Sequence, residues 1–240
     1  MTWFDLGRFA AATLAACAGA AAVAQWMRGQ TSAGSPSAPT PPESPRFPPR
    51  FRAWDWRIHL VTLVGASLLL TWVNREAGWP VWAQSLLLLH LLYPLAILDL
   101  ATLQVDERLV LAGLLLRLGA AFLWERPHLP GLLLGVLTGA GMLTLTAVGY
   151  RAVRGRSGLG EGDAGVLALI GAFVGWEGIF AVLLLAAGAG LLVGLAALLT
   201  LRKPLDTAIP FVPFLCLAGL LVHMAQRLGL APALPLPWPG

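Results

Sequence analysis

The stretch Gly158-Leu159-Gly160-Glu161-Gly162-Asp163 stands at the head of an apolar run that continues to Leu201 with Glu177 as its only charged residue. A second carboxylate, Asp99, closes another apolar run that begins near Pro80. A carboxylate at a membrane boundary is costly and marks a functional-site candidate. Two of them, on segments able to pack together, suggest acid/base chemistry in which one carries a proton and the other does not.

The composition places the chain in a membrane. Of its 240 residues, 58% are hydrophobic and 12% are charged, whereas roughly a quarter of a soluble domain is charged. Several apolar runs approach the ~20 residues that span a bilayer, and such runs must be helical because lipid satisfies no backbone polar group. The sequence therefore predicts an all-α, polytopic membrane protein with about eight transmembrane helices. The expected spans are roughly 4–27, 58–74, 80–100, 108–124, 130–150, 164–177, 178–201 and 208–228, with a tight turn at 175–178.

Composition also divides the chain. Residues 1–28 read as an N-terminal anchor helix, with a signal peptide as the alternative. Residues 29–56 read as a Pro-rich basic cytoplasmic linker. Residues 57–230 form the polytopic domain, and residues 231–240 read as a Pro-rich tail.

The basic residues predict the topology. The net charge of +4 comes almost entirely from arginines in short loops, which a membrane explains better than nucleic acid does. With eight spans, one face receives Arg28, Arg46, Arg50, Arg52, Arg57, Arg108, Arg151, Arg154, Arg156, Arg202 and Lys203, and the other receives Arg8, Arg75, Arg126 and Arg227. The richer face is then cytoplasmic, both termini lie outside, and Asp99 and Asp163 meet at the cytoplasmic boundary. Arg117 falls within a span, where it either snorkels or pairs with a carboxylate.

The sequence predicts neither a metal nor a cofactor. Its four histidines are scattered without metal-ligand spacing. Cys17 and Cys216 lie inside apolar segments, and no CxxC pair exists.

Three ordered stretches resemble a known family. Residues 158–176 are similar to the signature of the type IV prepilin leader peptidases, membrane aspartic proteases of the GxGD type. Residues 99–109 are similar to that family's first-aspartate segment, and Ile209-Pro210-Phe211-Val212-Pro213-Phe214-Leu215 to its late Ile-Pro-Phe-Gly-Pro-Phe segment. The resemblance covers roughly residues 80–220, in the family's order and spacing.

The resemblance implies a catalytic dyad of Asp99 and Asp163. One carboxylate would activate water as general base, and the other, protonated, would bind the scissile carbonyl and protonate the leaving amine. It also implies prepilin-like or pseudopilin-like substrates with short basic leaders, cleaved at the cytoplasmic face of the bacterial inner membrane. The bilayer is then a partner, and nucleic acid is not.

Four further residues are predicted to bind the substrate. Gly160 and Gly162 let a second chain approach closely, as a peptide beside Asp163 requires. Glu161 and Glu107 can meet a basic leader. The alternatives are a flexible glycine-rich loop that ends in a helix cap and, for the glutamates, plain solvation.

The chain also departs from the family pattern. Gly165 stands where a lysine is usual, Asp106 replaces a proline and Val212 replaces a glycine. A Pro-rich linker stands where many relatives carry paired CxxC motifs, which implies a peptidase without the N-methyltransferase module. Two other functions stay open from the residues alone. One is a transporter that uses the boundary aspartates for proton or cation coupling, and the other is a catalytically silent component of a pilus or secretion assembly.

Overall fold

A computed structural model describes residues 56–74, 79–124, 129–155, 161–201 and 210–230. Apart from turns, these residues are helical, which confirms the all-α prediction for the described part of the chain. The helices are α1 (Trp56–Val73), α2 (Trp79–Thr102), α3 (Glu107–Trp124), α4 (Leu129–Arg154), α5 (Glu161–Leu201) and α6 (Val212–Arg227). The predicted anchor 1–28, nearly all of the linker 29–56 and the tail 231–240 lie outside the described residues.

The chain divides into two compact units, residues 1–86 and 87–240. In the first unit, the Trp82 indole at the start of α2 donates a hydrogen bond of 3.1 Å to the Thr71 hydroxyl of α1. The Asn74 side chain donates to the Leu70 carbonyl at 2.8 Å, which satisfies a backbone group at the end of α1. The second unit contains both aspartates.

Among the described residues, three helices are long and apolar enough to cross a membrane. Their spanning segments are Val81–Leu100, Leu129–Val153 and Gly162–Ala196, and α1 and α6 hold shorter apolar segments. The predicted count of eight spans is neither reached nor excluded by the described residues, and it stays a prediction together with the domain bounds.

Helix α5 is two helices joined at Gly175. The φ of 71° and ψ of 175° at this residue belong to a region that essentially only glycine occupies. Ile179 reaches back to Gly171, because a Cβ placed on Gly171 would lie 3.1 Å from the Ile179 Cδ1. In a straight helix these two residues are about 12 Å apart along the axis. The turn expected at 175–178 is therefore present, and it separates α5a (161–174) from α5b (176–201).

The contacts of α6 give the direction of both arms. Gly219 packs on Ile170 and Gln226 lies beside Val174, so α6 runs parallel to α5a. Along α5b the order is opposite, because Gly178 lies against Gln226 whereas Gly190 lies nearest Phe211 and Phe214. Helix α5 thus forms a hairpin with its reversal at Gly175.

Helix α5a is the central element of the second unit. Its residues from Val166 to Val174 are all buried, and they pack with leucine and valine side chains of α2, α3 and α6 in one apolar cluster. Helix α4 approaches most closely, since Gly135 faces the Gly171 carbonyl and Gly139 faces the Leu167 carbonyl. These pairs fix an antiparallel register, and small residues permit this backbone-to-backbone contact between membrane helices.

The reversal leaves the last carbonyls of α5a without partners in their own helix. The Arg117 Nε donates to the Ala172 carbonyl at 3.1 Å, and its guanidinium carbon stands 5.2 Å from the centre of the Phe173 ring. The Gln226 amide donates to the Val174 carbonyl at 2.9 Å. Arg117 is buried, and a cation at a helix C-terminus is favourable. Arg117 therefore caps α5a, a role that the sequence did not predict.

Replacing Gly135 by alanine should destabilise the protein by about 1–3 kcal/mol, because the added methyl overlaps the Gly171 carbonyl. Gly141 on the same helix is the matched control, since a Cβ there meets nothing within 4 Å. Gly141→Ala should leave stability unchanged or raise it by up to ~1 kcal/mol through helix propensity. Thermal unfolding in detergent compares the two, and equal melting temperatures for both variants would contradict the close packing of α4 on α5a.

Candidate active site

Asp99 lies in the last turn of α2 and is 5% exposed. Its Oδ2 accepts a hydrogen bond of 3.0 Å from the backbone N–H of Val212, the first residue of α6. A negative charge at the C-terminal end of its own helix is unfavourable, whereas the N-terminus of another helix attracts it. The first turn of α6 therefore compensates the position of Asp99 in α2.

The chain turns sharply just after Asp99. Leu103 is the one described non-glycine residue with a positive φ, at 55°, and its N–H donates to the Asp99 carbonyl at 2.8 Å. Asp106 then caps α3, because its Oδ1 accepts from the Arg108 N–H at 2.9 Å. Asp106, which replaces the proline usual in the related family segment, thus caps the start of α3.

Asp163 lies in the first turn of α5a and is 8% exposed. The N-terminal end of a helix favours a carboxylate. Beside it, Gly162 faces Val105 in the loop that follows Asp99, and a Cβ added at Gly162 would lie only 2.6 Å from the Val105 Cβ. The close approach that this glycine permits is therefore made by the α2–α3 loop.

Contacts between the helices place both aspartates at the same height along the helix axes of the second unit, which we call the aspartate level. Gly162 meets Val105, Gly165 meets Val110 and Gly113 meets Leu169, so α3 and α5a run in parallel. Gly113 also meets Leu91, which aligns α2 antiparallel to α3 and sets Asp99 opposite Val105. The Asp99 level is thus the level at which α5a begins with Asp163, and α6 begins there too.

The arrangement brings together the three stretches singled out in the sequence: the end of α2, the start of α5a and the start of α6. A comparison with protein families matches residues 86–195 to the type IV leader peptidase family. This stretch belongs to the type IV leader peptidase family. It contains both aspartates, in the order and context that the family resemblance predicted.

Individual relatives of the leader peptidase family agree with this assignment. The chain is 34% identical over 157 residues to a prepilin leader peptidase/N-methyltransferase of Pseudomonas putida, covering 65% of this chain and 54% of the relative. It is 32% identical over 168 residues to the protein of that name from Aeromonas hydrophila, covering 68% and 56%. With the Burkholderia pseudomallei (strain 1026b) protein the identity is 38% over 111 residues, covering 46% and 35%.

The chain spans little more than half the length of the Pseudomonas putida and Aeromonas hydrophila relatives. No solved structure matches it significantly.

The other predicted site residues of the leader peptidase stretch fall in different places. Glu107 is exposed at the start of α3, at the level of the aspartates. Gly162 lies beside Asp163, packed on Val105. Gly160 and the side chain of Glu161 lie outside the described residues. Within the described ranges, no group of three or more side chains is arranged to hold a metal ion.

Sequence reasoning did not find the part played by Val212. The residue drew notice only as a departure from the glycine usual in the leader peptidase family, whereas its contribution here is a backbone N–H. The local signal was Pro213, which directly follows it and stands in the first turn of α6, because proline is common where a helix starts.

Proposed function

We propose that this chain is a membrane aspartic endopeptidase that removes short basic leaders from type IV prepilin-like or pseudopilin-like substrates. Family membership of residues 86–195 supports a peptidase, and the printed names of the relatives supply the prepilin substrate class. The observation that carries the proposal is the location of two buried carboxylates, Asp99 and Asp163, at one level of the helices, with the first N–H of α6 bound to Asp99.

The hydrogen bond from Val212 supports a division of roles within the dyad. A backbone N–H can only donate, so it complements an ionised carboxylate oxygen. Asp99 is then the general base, which takes a proton from the attacking water. Asp163 is the protonated partner, which hydrogen-bonds the scissile carbonyl while the water oxygen adds to its carbon.

The collapse of the tetrahedral intermediate completes the cycle. The C–N bond breaks, the leaving amine takes the Asp163 proton, and the proton held by Asp99 returns to Asp163. Two like charges buried in one site cannot both ionise easily, so in this proposal the two groups titrate as a pair with shared apparent pKa values. No other reactant than water is consumed.

The same proposal includes the orientation and the substrate contacts. The asymmetry of basic residues supports an aspartate level on the cytoplasmic half of the bacterial inner membrane, with about eight spans and both termini outside. Glu107, exposed at that level, and Glu161 meet the basic leader. The apolar helix that follows the scissile bond lies alongside the helices of the enzyme.

The relatives' printed names include an N-methyltransferase. We propose that this chain leaves its product unmethylated, because it has two cysteines, both in apolar segments, and no CxxC pair.

Asp99→Asn and Asp163→Asn should each lower the rate of leader cleavage by at least about 10⁴-fold, because an amide can neither accept nor deliver the proton. The rate of cleavage is measured with purified enzyme and a synthetic prepilin-like substrate in detergent, and thermal unfolding verifies that each variant is folded. Full processing by either Asn variant would refute the catalytic dyad.

Mass spectrometry of the product that the wild-type enzyme forms in the presence of S-adenosylmethionine should show the mass of the cleaved substrate without a methyl group. A gain of one methyl group would refute the proposal that this chain leaves its product unmethylated.

Val212→Pro tests the assigned role of the helix terminus. Proline fits the first position of a helix but has no N–H to give to Asp99. A charge-assisted hydrogen bond contributes about 1.5–3 kcal/mol, so kcat should fall at least ten-fold. Val212→Ala is the matched control, since it also loses side-chain packing but keeps the N–H, and its kcat should remain within about three-fold of the wild type. Equal rates in the two folded variants would show that Asp99 does not depend on this hydrogen bond.

A further inference from the structure

Helices α4 and α5b continue well beyond the level of the aspartates. The antiparallel pairs Gly135–Gly171 and Gly139–Leu167 put Leu143 opposite Asp163. From Leu143, α4 runs eight more residues to Arg151, or about 12 Å. On α5b, Gly190 lies at the aspartate level, because it is beside Phe211 at the start of α6. From there the helix runs eleven more residues to Leu201, or about 16 Å.

The extended parts of both helices are apolar and uncovered. Leu145 and Val148 of α4 are 74% and 57% exposed, and Leu191 and Leu199 of α5b are 71% and 70% exposed. The Thr146 hydroxyl donates to its own helix at the Met142 carbonyl, which suits lipid surroundings. Exposed apolar surface of this extent is stable in hydrocarbon and costly in water. The bilayer must therefore reach past the aspartate level toward Arg151.

The thickness of the apolar layer agrees with this placement. From Leu129 at the start of α4 to Arg151 is about 33 Å of helix, close to the ~30 Å of a hydrocarbon core. Leu143 divides that distance into roughly 21 Å and 12 Å. The first charged side chain of α4 thus lies about 12 Å beyond the aspartates.

The same level also carries exposed charges. Glu107 and Arg108 begin α3 and are exposed, and Gln104 in the preceding loop is exposed as well. Charged side chains are not stable against hydrocarbon. One side of the level is therefore suited to lipid, and the side formed by the start of α3 is suited to water.

We propose that Asp99 and Asp163 work about 12 Å inside the hydrocarbon layer, at a level that water reaches beside α3 while lipid covers α4 and α5b. The inference rests on the proposed peptidase function and deepens it, because it states where a substrate must be cut. A substrate helix lying beside α4 would have its scissile bond about 21 Å from the far boundary. That distance corresponds to about 14 helical residues, fewer than the ~20 of a full span.

Two single-cysteine variants, with the cysteines near the aspartate level on different helices or loops, test the proposal. In the full chain with Cys17 and Cys216 replaced by alanine, Gln104→Cys and Leu145→Cys are compared in membrane fragments open on both sides. A charged methanethiosulfonate should modify position 104 at least ten-fold faster than position 145. A lipid-soluble maleimide should modify position 145. Val153→Cys, on the same helix and also exposed, is the matched control and should react with the charged reagent as position 104 does.

A nitroxide at position 145 gives an independent measure of depth. It should collide often with oxygen and rarely with a water-soluble nickel chelate, as expected about 10 Å inside the bilayer. Equal modification of positions 104 and 145 by the charged reagent would place the aspartates outside the hydrocarbon and overturn the proposal. Protection of both positions from the charged reagent would show that water does not reach the aspartate level, which would also overturn the proposal. Neither measurement depends on cleavage, so failure of the peptidase proposal is read separately, from the two Asn variants.

Discussion

The hydrogen bond between the Val212 N–H and the Asp99 carboxylate joins two groups that cannot be buried alone. The first N–H groups of a helix have no partner inside it, and a carboxylate without donors is costly in an apolar interior. Each group meets the need of the other at 3.0 Å. This contact links the end of α2 to the start of α6, which lie 113 residues apart in sequence. The level at which Asp163 also stands is organised around it.

A second constraint acts at the opposite end of α5a. Arg117 and Gln226 satisfy the carbonyls that the reversal at Gly175 leaves without helical partners. The C-terminal end of the central helix is thus fixed by polar side chains from α3 and α6, in surroundings that are otherwise apolar. At the other end, the contact of Gly162 with Val105 sets the height of Asp163 relative to Asp99.

Much of this arrangement could be predicted from the sequence. The two aspartates stand out because charge is scarce around them, and the glycines near position 175 indicated the turn in α5. The helices α2, α3 and α4 begin and end within a few residues of the predicted spans. Helix α6 begins four residues later than expected, at Val212, because Pro210 and Phe211 precede it in an irregular segment.

What could not be predicted depends on contacts between distant residues. Arg117 caps a carbonyl that is available only because α5 reverses, so no local pattern around Arg117 announces its partner. The donor on Asp99 is a backbone group, and a sequence does not show which backbone groups face a carboxylate. For Gly162 a substrate contact stays a prediction, and the sequence did not indicate that Val105 packs against this glycine. In each case the residue type was informative, and the partner was set by the packing of the helices.

The reversal at Gly175 also determines how the chain crosses the membrane at α5. A hairpin returns the chain to the side from which it entered, so Arg154 before α5 and Val212 after it lie on one side however many spans precede them. During biosynthesis such a hairpin can insert as a unit, with no need to translocate either flank. If α5 were a single straight helix, the start of α6 would be carried to the opposite side of the bilayer, and Asp99 would lose its donor. One glycine conformation thereby determines on which side α6 begins.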